Sequence, residues 1–118
     1  MKGTPMATDL KAASEHHIRG RFDPEDRSSI LDQLRREDWN PLLVEEPAGY
    51  IYTPHHHAEA KLIVVLEGEM EVTLAGTGLR CRPGDELTIP GGMEHAAMMG
   101  PDGCSYFWSE RLRSDQNA

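Results

Sequence analysis

Residues 49–68 read GYIYTPHHHAEAKLIVVLEG, and this stretch combines a histidine pattern with a strand pattern. His55 and His57 are two positions apart, so a strand places both imidazoles on one face and turns His56 to the other. Two neutral imidazoles on one strand face form half of a site for a transition metal. The apolar run that follows, Leu62–Leu66, predicts a buried strand.

From Leu42 onward, short apolar runs alternate with turn residues, which is typical of an all-β sandwich or barrel. The runs predict strands near 42–46, 50–54, 61–66, 70–74, 79–82, 86–89, 94–99 and 104–109. Turns rich in Gly, Pro and Asp separate them. So many short strands in this length favour a jelly-roll over an open sheet.

The 118 residues suit one domain, which we place at 23–118 behind an N-terminal arm, 1–22. The arm is polar and without a clear period, so we expect a loose segment or an edge strand added to a neighbour. A short helix is predicted near 24–37, with Asp23 as N-cap and Pro24 at the first helical position. The dipeptide Asn40-Pro41 is predicted to end it.

Composition excludes several classes of function. The formal charge of −8, from 12 basic and 20 acidic residues, repels nucleic acid. No apolar run approaches the roughly 20 residues that a membrane span needs. The first residues lack the pattern of a secretory signal, so we expect a cytoplasmic protein. Cys81 and Cys104 lack CxxC spacing and are expected to be thiols in a reducing compartment.

Two sets of residues keep fixed spacings: Gly49, His55, His57, Lys61 and Gly68, then Gly84, Pro90, Gly92, His95 and Met99. In these spacings the sequence resembles the two motifs of the cupins, and in particular small single-domain cupins with His-x-His-x3-Lys. The resemblance implies a cupin double-stranded β-helix, a jelly-roll barrel, with one short N-terminal helix added. It also implies that His55, His57 and His95 converge on one divalent transition metal, and the candidates are Zn, Fe, Ni, Mn and Cu.

The sequence departs from the cupin motifs at two positions. Lys61 stands where cupins usually carry a Glu ligand, and an ammonium there is repelled by a metal cation. Lys61 either pairs with Glu59 or meets an anionic ligand of the site, and a third alternative is that Glu59 itself becomes a ligand. Met99 stands where cupins usually carry Asn and is expected to fill the core, with copper ligation by Met93, Met98 or Met99 as the alternative.

The predicted function is that of a metal-binding cupin that acts on or binds a small, anionic molecule. As an enzyme it would be a metal-dependent dioxygenase, isomerase or lyase. Candidate catalytic residues are Lys61, Glu59 and Tyr106, with Glu94 as a further candidate base. The alternatives are a non-catalytic module that senses or stores a small ligand, and an apo structural cupin. A homodimer is expected, since small cupins commonly pair through sheet edges.

Overall fold

Two long strands, β4 (Lys61–Leu74) and β7 (His95–Arg111), pair antiparallel along their length and form the centre of the sheet. The structure, a computed structural model, describes residues 15–111. Within that range one helix, α1, spans Arg27–Arg36. The remaining strands are β1 His17–Ile18, β2 Trp39–Glu46, β3 Ile51–His55, β5 Thr77–Cys81 and β6 Glu86–Ile89.

Each long strand changes its outer neighbour midway. The first half of β4 pairs with β6, to which β1 is added, and its second half pairs with β5. The first half of β7 pairs with β3 and its second half with β2. Register shifts between Val65 and Glu67, and again between Gly68 and Met70, mark the bend in β4. The expected all-β jelly-roll with one short helix is confirmed.

The side chains of β4 alternate between two cores. Ile63 and Val65 belong to an inner cluster that also contains Val72, from the second half of β4, and Met99, from the first half of β7. The two halves of the sheet therefore face each other. The alternate residues of β4 pack with Ile30 and Leu34 of α1 in a second, outer cluster. The helix therefore covers the outside of the sheet and leaves the inside to the site.

The helix begins and ends at residues other than those predicted. Asp26, not Asp23, is the N-cap, and its side chain accepts a hydrogen bond from the backbone N–H of Ser29. Asp23 instead caps a preceding turn, where its carboxylate accepts from the N–H of Glu25. The helix ends at Arg36, one residue before the predicted bound of 37, but Asn40-Pro41 is not what ends it. These residues lie in β2, an edge strand, where a proline costs no hydrogen bond on its open side.

Two predicted strand pairs are continuous strands. The separate strands 61–66 and 70–74 are both parts of β4, and 94–99 and 104–109 are both parts of β7. Gly68 and Gly103, which were expected in turns between these strands, instead lie at a bend where the two backbones are in close contact. Gly68 has φ +74°, and a Cβ on it would lie 2.0 Å from the carbonyl oxygen of Gly103.

The N-terminal strand β1 pairs with β6 of the same chain, and the N–H of Thr88 donates to the carbonyl oxygen of His16 at 2.9 Å. Residues 1–14 of the predicted arm lie outside the described residues. Between residues 15 and 111, the structure contains no helix that is both long and apolar enough to cross a membrane.

Candidate metal centre

Three histidines meet where β3 ends and β7 begins. His55 and His95 are paired positions of these antiparallel strands, and His57 follows two residues after His55. Their ring centroids lie 4.3 to 5.2 Å apart, and one nitrogen from each ring lies within 4.8 Å of the others. The structure thus brings together the three histidines that the resemblance to cupins implied, while His56 is exposed and outside the cluster.

Backbone carbonyls fix the orientation of two of the three rings. The Nδ1 of His55 lies 2.6 Å from the carbonyl oxygen of Thr53, and the Nδ1 of His95 lies 3.0 Å from that of Met93. A carbonyl only accepts hydrogen bonds, so Nδ1 carries the hydrogen in each neutral ring and the lone pair is on Nε2. A metal-binding histidine usually donates its other ring N–H to a carbonyl or carboxylate in this way, which fixes the orientation of the ring.

Two of the three free nitrogens in the cluster are buried and lack a partner among residues 15–111. Among the described residues, no group hydrogen-bonds to Nε2 of His57 or of His95. Burial is the main cause that lowers the pKa of both side chains, and the neighbouring histidines lower it further. Neutral, buried imidazoles with free lone pairs have the chemistry that a transition metal requires of its ligands.

The turn Pro90–Gly92 packs closely against the backbone of His57 and Ala58. The N–H of Gly92 donates to the carbonyl oxygen of His57 at 2.7 Å. A Cβ on Gly91 would lie 2.3 Å from the carbonyl oxygen of Ala58, so only glycine allows this approach. The contact joins the segment that carries His57 to the one that leads into His95.

The histidines open into a cavity of about 270 Å³ inside the barrel. Its polar lining consists of the three histidines, Tyr52, Tyr106 and Trp108. The other lining residues are apolar: Val44, Ile63, Met70, Val72, Ile89, Ala97 and Met99. The cavity suits a small molecule with a polar end directed at the histidines. Met99 is buried in the core as expected.

Two phenols in this cavity connect to a carboxylate. The hydroxyl of Tyr106 lies 3.5 Å from that of Tyr52, which donates to the carboxylate of Glu46. Burial is the main cause that raises the pKa of each phenol, so both remain protonated at neutral pH. Sequence reasoning selected Tyr106 and missed Tyr52. A register irregularity between Tyr52 and His55 brings both into one cavity despite their opposite parity.

Lys61 is buried and has a partner other than the one proposed from the sequence. Its Nζ lies 2.8 Å from Oε1 of Glu110, the residue opposite it on β7, and 6.0 Å from the ring centroid of Trp108. Pairing of Lys61 with Glu59 is therefore wrong, because strand register places Glu110 there. Glu59 and Glu94 are exposed and do not belong to the histidine cluster.

Known proteins resemble the chain in sequence and fold. Dimethylsulfoniopropionate lyase DddW of Ruegeria pomeroyi is 34% identical over 64 residues, which cover 54% of this chain and 42% of that protein. The structure of KdgF from Halomonas sp. is 30% identical, with a TM-score of 0.56, and the match covers 67% of this chain and 74% of that one. The DMSP lyase DddQ of Ruegeria pomeroyi is 27% identical, with a TM-score of 0.58.

The match to DddQ covers 64% of this chain and 39% of that protein. The chain thus spans less than half the length of either lyase. A family model described as the cupin domain matches residues 42–108, which include the three histidines and the strands that form the cavity. With that match and the jelly-roll fold, the chain belongs to the cupin domain family.

Proposed function

We propose that His55, His57 and His95 hold one divalent transition metal, and that the protein acts on a small anionic molecule in the adjoining cavity. The observation that carries the proposal is the pair of buried Nε2 atoms, on His57 and His95, that lack a partner among the described residues. An unpaired buried polar atom is costly. A metal ion satisfies both atoms, and three protein ligands leave room for a substrate.

The metal, when bound, supplies a Lewis acid that polarises a carboxylate or carbonyl of the substrate. The protein's own residues supply the rest. The apolar walls, among them Val72 and Met99, exclude water from the cavity. The phenols of Tyr52 and Tyr106 are the hydroxyl groups that line it. They are therefore our candidates for moving a proton, in preference to the exposed Glu59 and Glu94.

Similarity to two lyases favours a lyase among the reaction classes expected from the sequence. In a β-elimination, a proton leaves the carbon next to a carboxylate, a double bond forms, and the leaving group departs with its bonding electrons. The hydroxyl oxygen of Tyr106 accepts that proton while its own proton passes to Tyr52 and the proton of Tyr52 passes to Glu46. Because the hydrogen bonds run from Tyr106 through Tyr52 to the carboxylate of Glu46, that carboxylate takes up the proton. Tyr106 therefore acts as a base without becoming a free phenolate.

The metal site is tested on protein expressed without an affinity tag. We expect about one equivalent of a transition metal per chain by elemental analysis. His95→Ala should lose most of that metal, because one of three ligands is removed. His56→Ala is the matched control, since His56 is exposed beside two of the ligands, and it should keep its metal. Equal metal content in both variants would contradict the site.

The lyase activity is tested with dimethylsulfoniopropionate, a zwitterion whose carboxylate is the anionic group and whose elimination gives dimethyl sulfide, acrylate and a proton. We expect dimethyl sulfide from the metal-loaded protein. Tyr106→Phe should reduce its release by about 100-fold or more, as loss of a general base does. Tyr50→Phe is the control, because Tyr50 packs edge-on against Tyr52, 5.0 Å between ring centroids, and does not line the cavity. No release from the metal-loaded protein would contradict this substrate.

A further inference from the structure

The ion pair of Lys61 with Glu110 does not line the cavity, but the strand register places it next to residues that do. The register of β4 and β7 pairs Ile63 with Trp108, and both line the cavity. Lys61 and Glu110 are the next pair on the same side of these strands, since side chains two residues apart share a face. The pair therefore lies one step beyond Trp108 toward the open end of the strands.

The two partners differ in how firmly they are held. The side chain of Lys61 is 9% exposed and that of Glu110 is 57% exposed. Lys61 lowers the pKa of Glu110, so the carboxylate is charged at neutral pH. A carboxylate this exposed is held weakly by its partner and exchanges readily with water. The buried ammonium, by contrast, is costly to leave without an anion, so it favours any carboxylate that can take the place of Glu110.

Trp108 joins this pair to the histidine cluster. Its ring centroid lies 6.0 Å from Nζ of Lys61 and 5.8 Å from the ring centroid of His57. The charge of Lys61 contributes to lowering the pKa of His57, although burial and the other two histidines contribute more. A small ligand that reaches the histidines and lies against Trp108 thus comes within range of the ammonium.

We propose that Lys61 is the carboxylate-binding residue of this site, and that Glu110 is a resident carboxylate which a ligand's carboxylate displaces. The assignment deepens the proposed function by naming the residue that selects an anion. A net charge of −8 repels anions from the protein as a whole, so an anionic ligand needs a local cation at its binding site, and Lys61 supplies one. It also gives the Lys at the usual Glu position a role in binding the ligand.

The test compares succinate with its uncharged analogue succinamide by calorimetric titration. Glu110→Gln removes the competing carboxylate and should bind succinate about two- to fivefold more tightly than the wild type. Lys61→Met should weaken succinate binding by about tenfold or more, because the charge-assisted contact is lost. Succinamide should bind equally to all three proteins. Glu94→Gln is the control, since it removes an exposed acid near the histidines and should leave succinate affinity unchanged.

Each titration is run on metal-free and on zinc-loaded protein, and thermal melts confirm that every variant is folded. The ratios between variants test the role of Lys61 in either state, so a protein that binds no metal contradicts the proposed function without touching this inference. Equal succinate affinity in all variants would show that the pair only joins β4 to β7. A loss in Lys61→Met without a gain in Glu110→Gln would likewise overturn the displacement of Glu110.

Discussion

Gly68 lies where β4 bends against β7, and its backbone has φ +74°. A Cβ there would lie 2.0 Å from the carbonyl oxygen of Gly103, which cannot move aside without breaking the strand pairing. Gly68→Ala should therefore lower the free energy of unfolding by about 3 kcal/mol or more, from backbone strain and the clash together. Urea denaturation measures this loss.

Gly76→Ala is the matched control for that substitution. Gly76 has φ +87°, but a Cβ on it would meet nothing within 4 Å. The control therefore carries the cost of positive φ without a clash, about 1 kcal/mol. If the two variants lose the same stability, the close approach of Gly68 to Gly103 is not what requires glycine at this bend.

Stability should depend on pH through the buried histidines. The pKa values of His57 and His95 lie below the ordinary 6.5 in the folded protein, chiefly because of burial. The unfolded chain then binds more protons as pH falls below 6.5, so the metal-free protein loses stability in that range. Thermal unfolding followed from about pH 7.5 to about pH 5, a range that spans the ordinary pKa of histidine, measures how steeply stability changes with pH.

Replacing one of these groups should reduce that slope. His95→Gln removes a group whose folded pKa is depressed, so its melting temperature should fall less steeply with decreasing pH than that of the wild type. His56→Gln, at an exposed position, should behave as the wild type does. A steeper fall in His95→Gln would show that protonation of His95 stabilises the fold, against the direction given by its burial.

The two-residue period of a strand was sufficient to place His55 and His57 on one face, whereas His95 was selected through the resemblance to the cupin motifs, because pairing of β3 with β7 and not local spacing brings it to the other two. Tyr52 and Glu110 were missed for two physical reasons. A register irregularity in β3 overrides the two-residue period that would have turned Tyr52 away from His55. Glu110 meets Lys61 only through the register of two strands distant in sequence, and local spacing carries no information about that register.

At the scale of the elements, Asp85 fastens β1 to the sheet. Its buried carboxylate accepts from the N–H groups of Gly20 and Arg82, at 2.8 and 3.0 Å, and pairs with His17 at 2.9 Å. Burial acts to raise the pKa of Asp85, but these hydrogen bonds outweigh it and leave the pKa below 3.8. The charged carboxylate is thus the form that holds β1 in place at neutral pH.

Asp85→Asn should detach β1 and destabilise the fold by about 1–3 kcal/mol, because an amide replaces a charged acceptor in a buried site. Hydrogen exchange measures the local effect at the N–H of Thr88, which bonds to His16 and should lose protection first. Asp23→Asn, in the exposed turn before α1, is the control. Unchanged protection of Thr88 in Asp85→Asn would mean that strand pairing alone holds β1.

Element type was predictable from the sequence, and element boundaries less so. The strand β6 was predicted at its observed bounds, because Asp85 and Pro90 flank a short apolar run. The start of α1 was placed too early because Asp23 and Asp26 both fit an N-cap. Tertiary packing decides between them, since it is Ile30 and Leu34 that must reach the outer core.

At the scale of the whole molecule, we expect a homodimer formed through the edge that β2 and β3 present. Within residues 15–111 each of these strands pairs with β7 alone, so its other side is open. The same region exposes apolar side chains, with Leu42 63%, Ile51 59% and Met98 49% exposed. Open strand edges bearing apolar groups favour association with a second copy.

Ile51→Glu should convert the dimer to a monomer, because it places a charge in the apolar part of that edge. Light scattering at micromolar concentration should give twice the chain mass of 13.2 kDa for the wild type and a single chain mass for the variant. Ile18→Glu, at an apolar residue 48% exposed on β1, is the control and should remain dimeric. A monomeric wild type would contradict the prediction.

The position of β7 after its partner strands in the sequence has a consequence for biosynthesis. A ribosome delivers β2, β3 and β4 first, yet each of them pairs with β7, and residues as distant as Trp39 and Arg111 are paired. Until residues 95–111 have left the exit tunnel, His95 cannot reach the other two histidines and the apolar inner face of β4 stays exposed. The barrel and its three-histidine cluster are therefore completed together, in one event that follows the synthesis of β7.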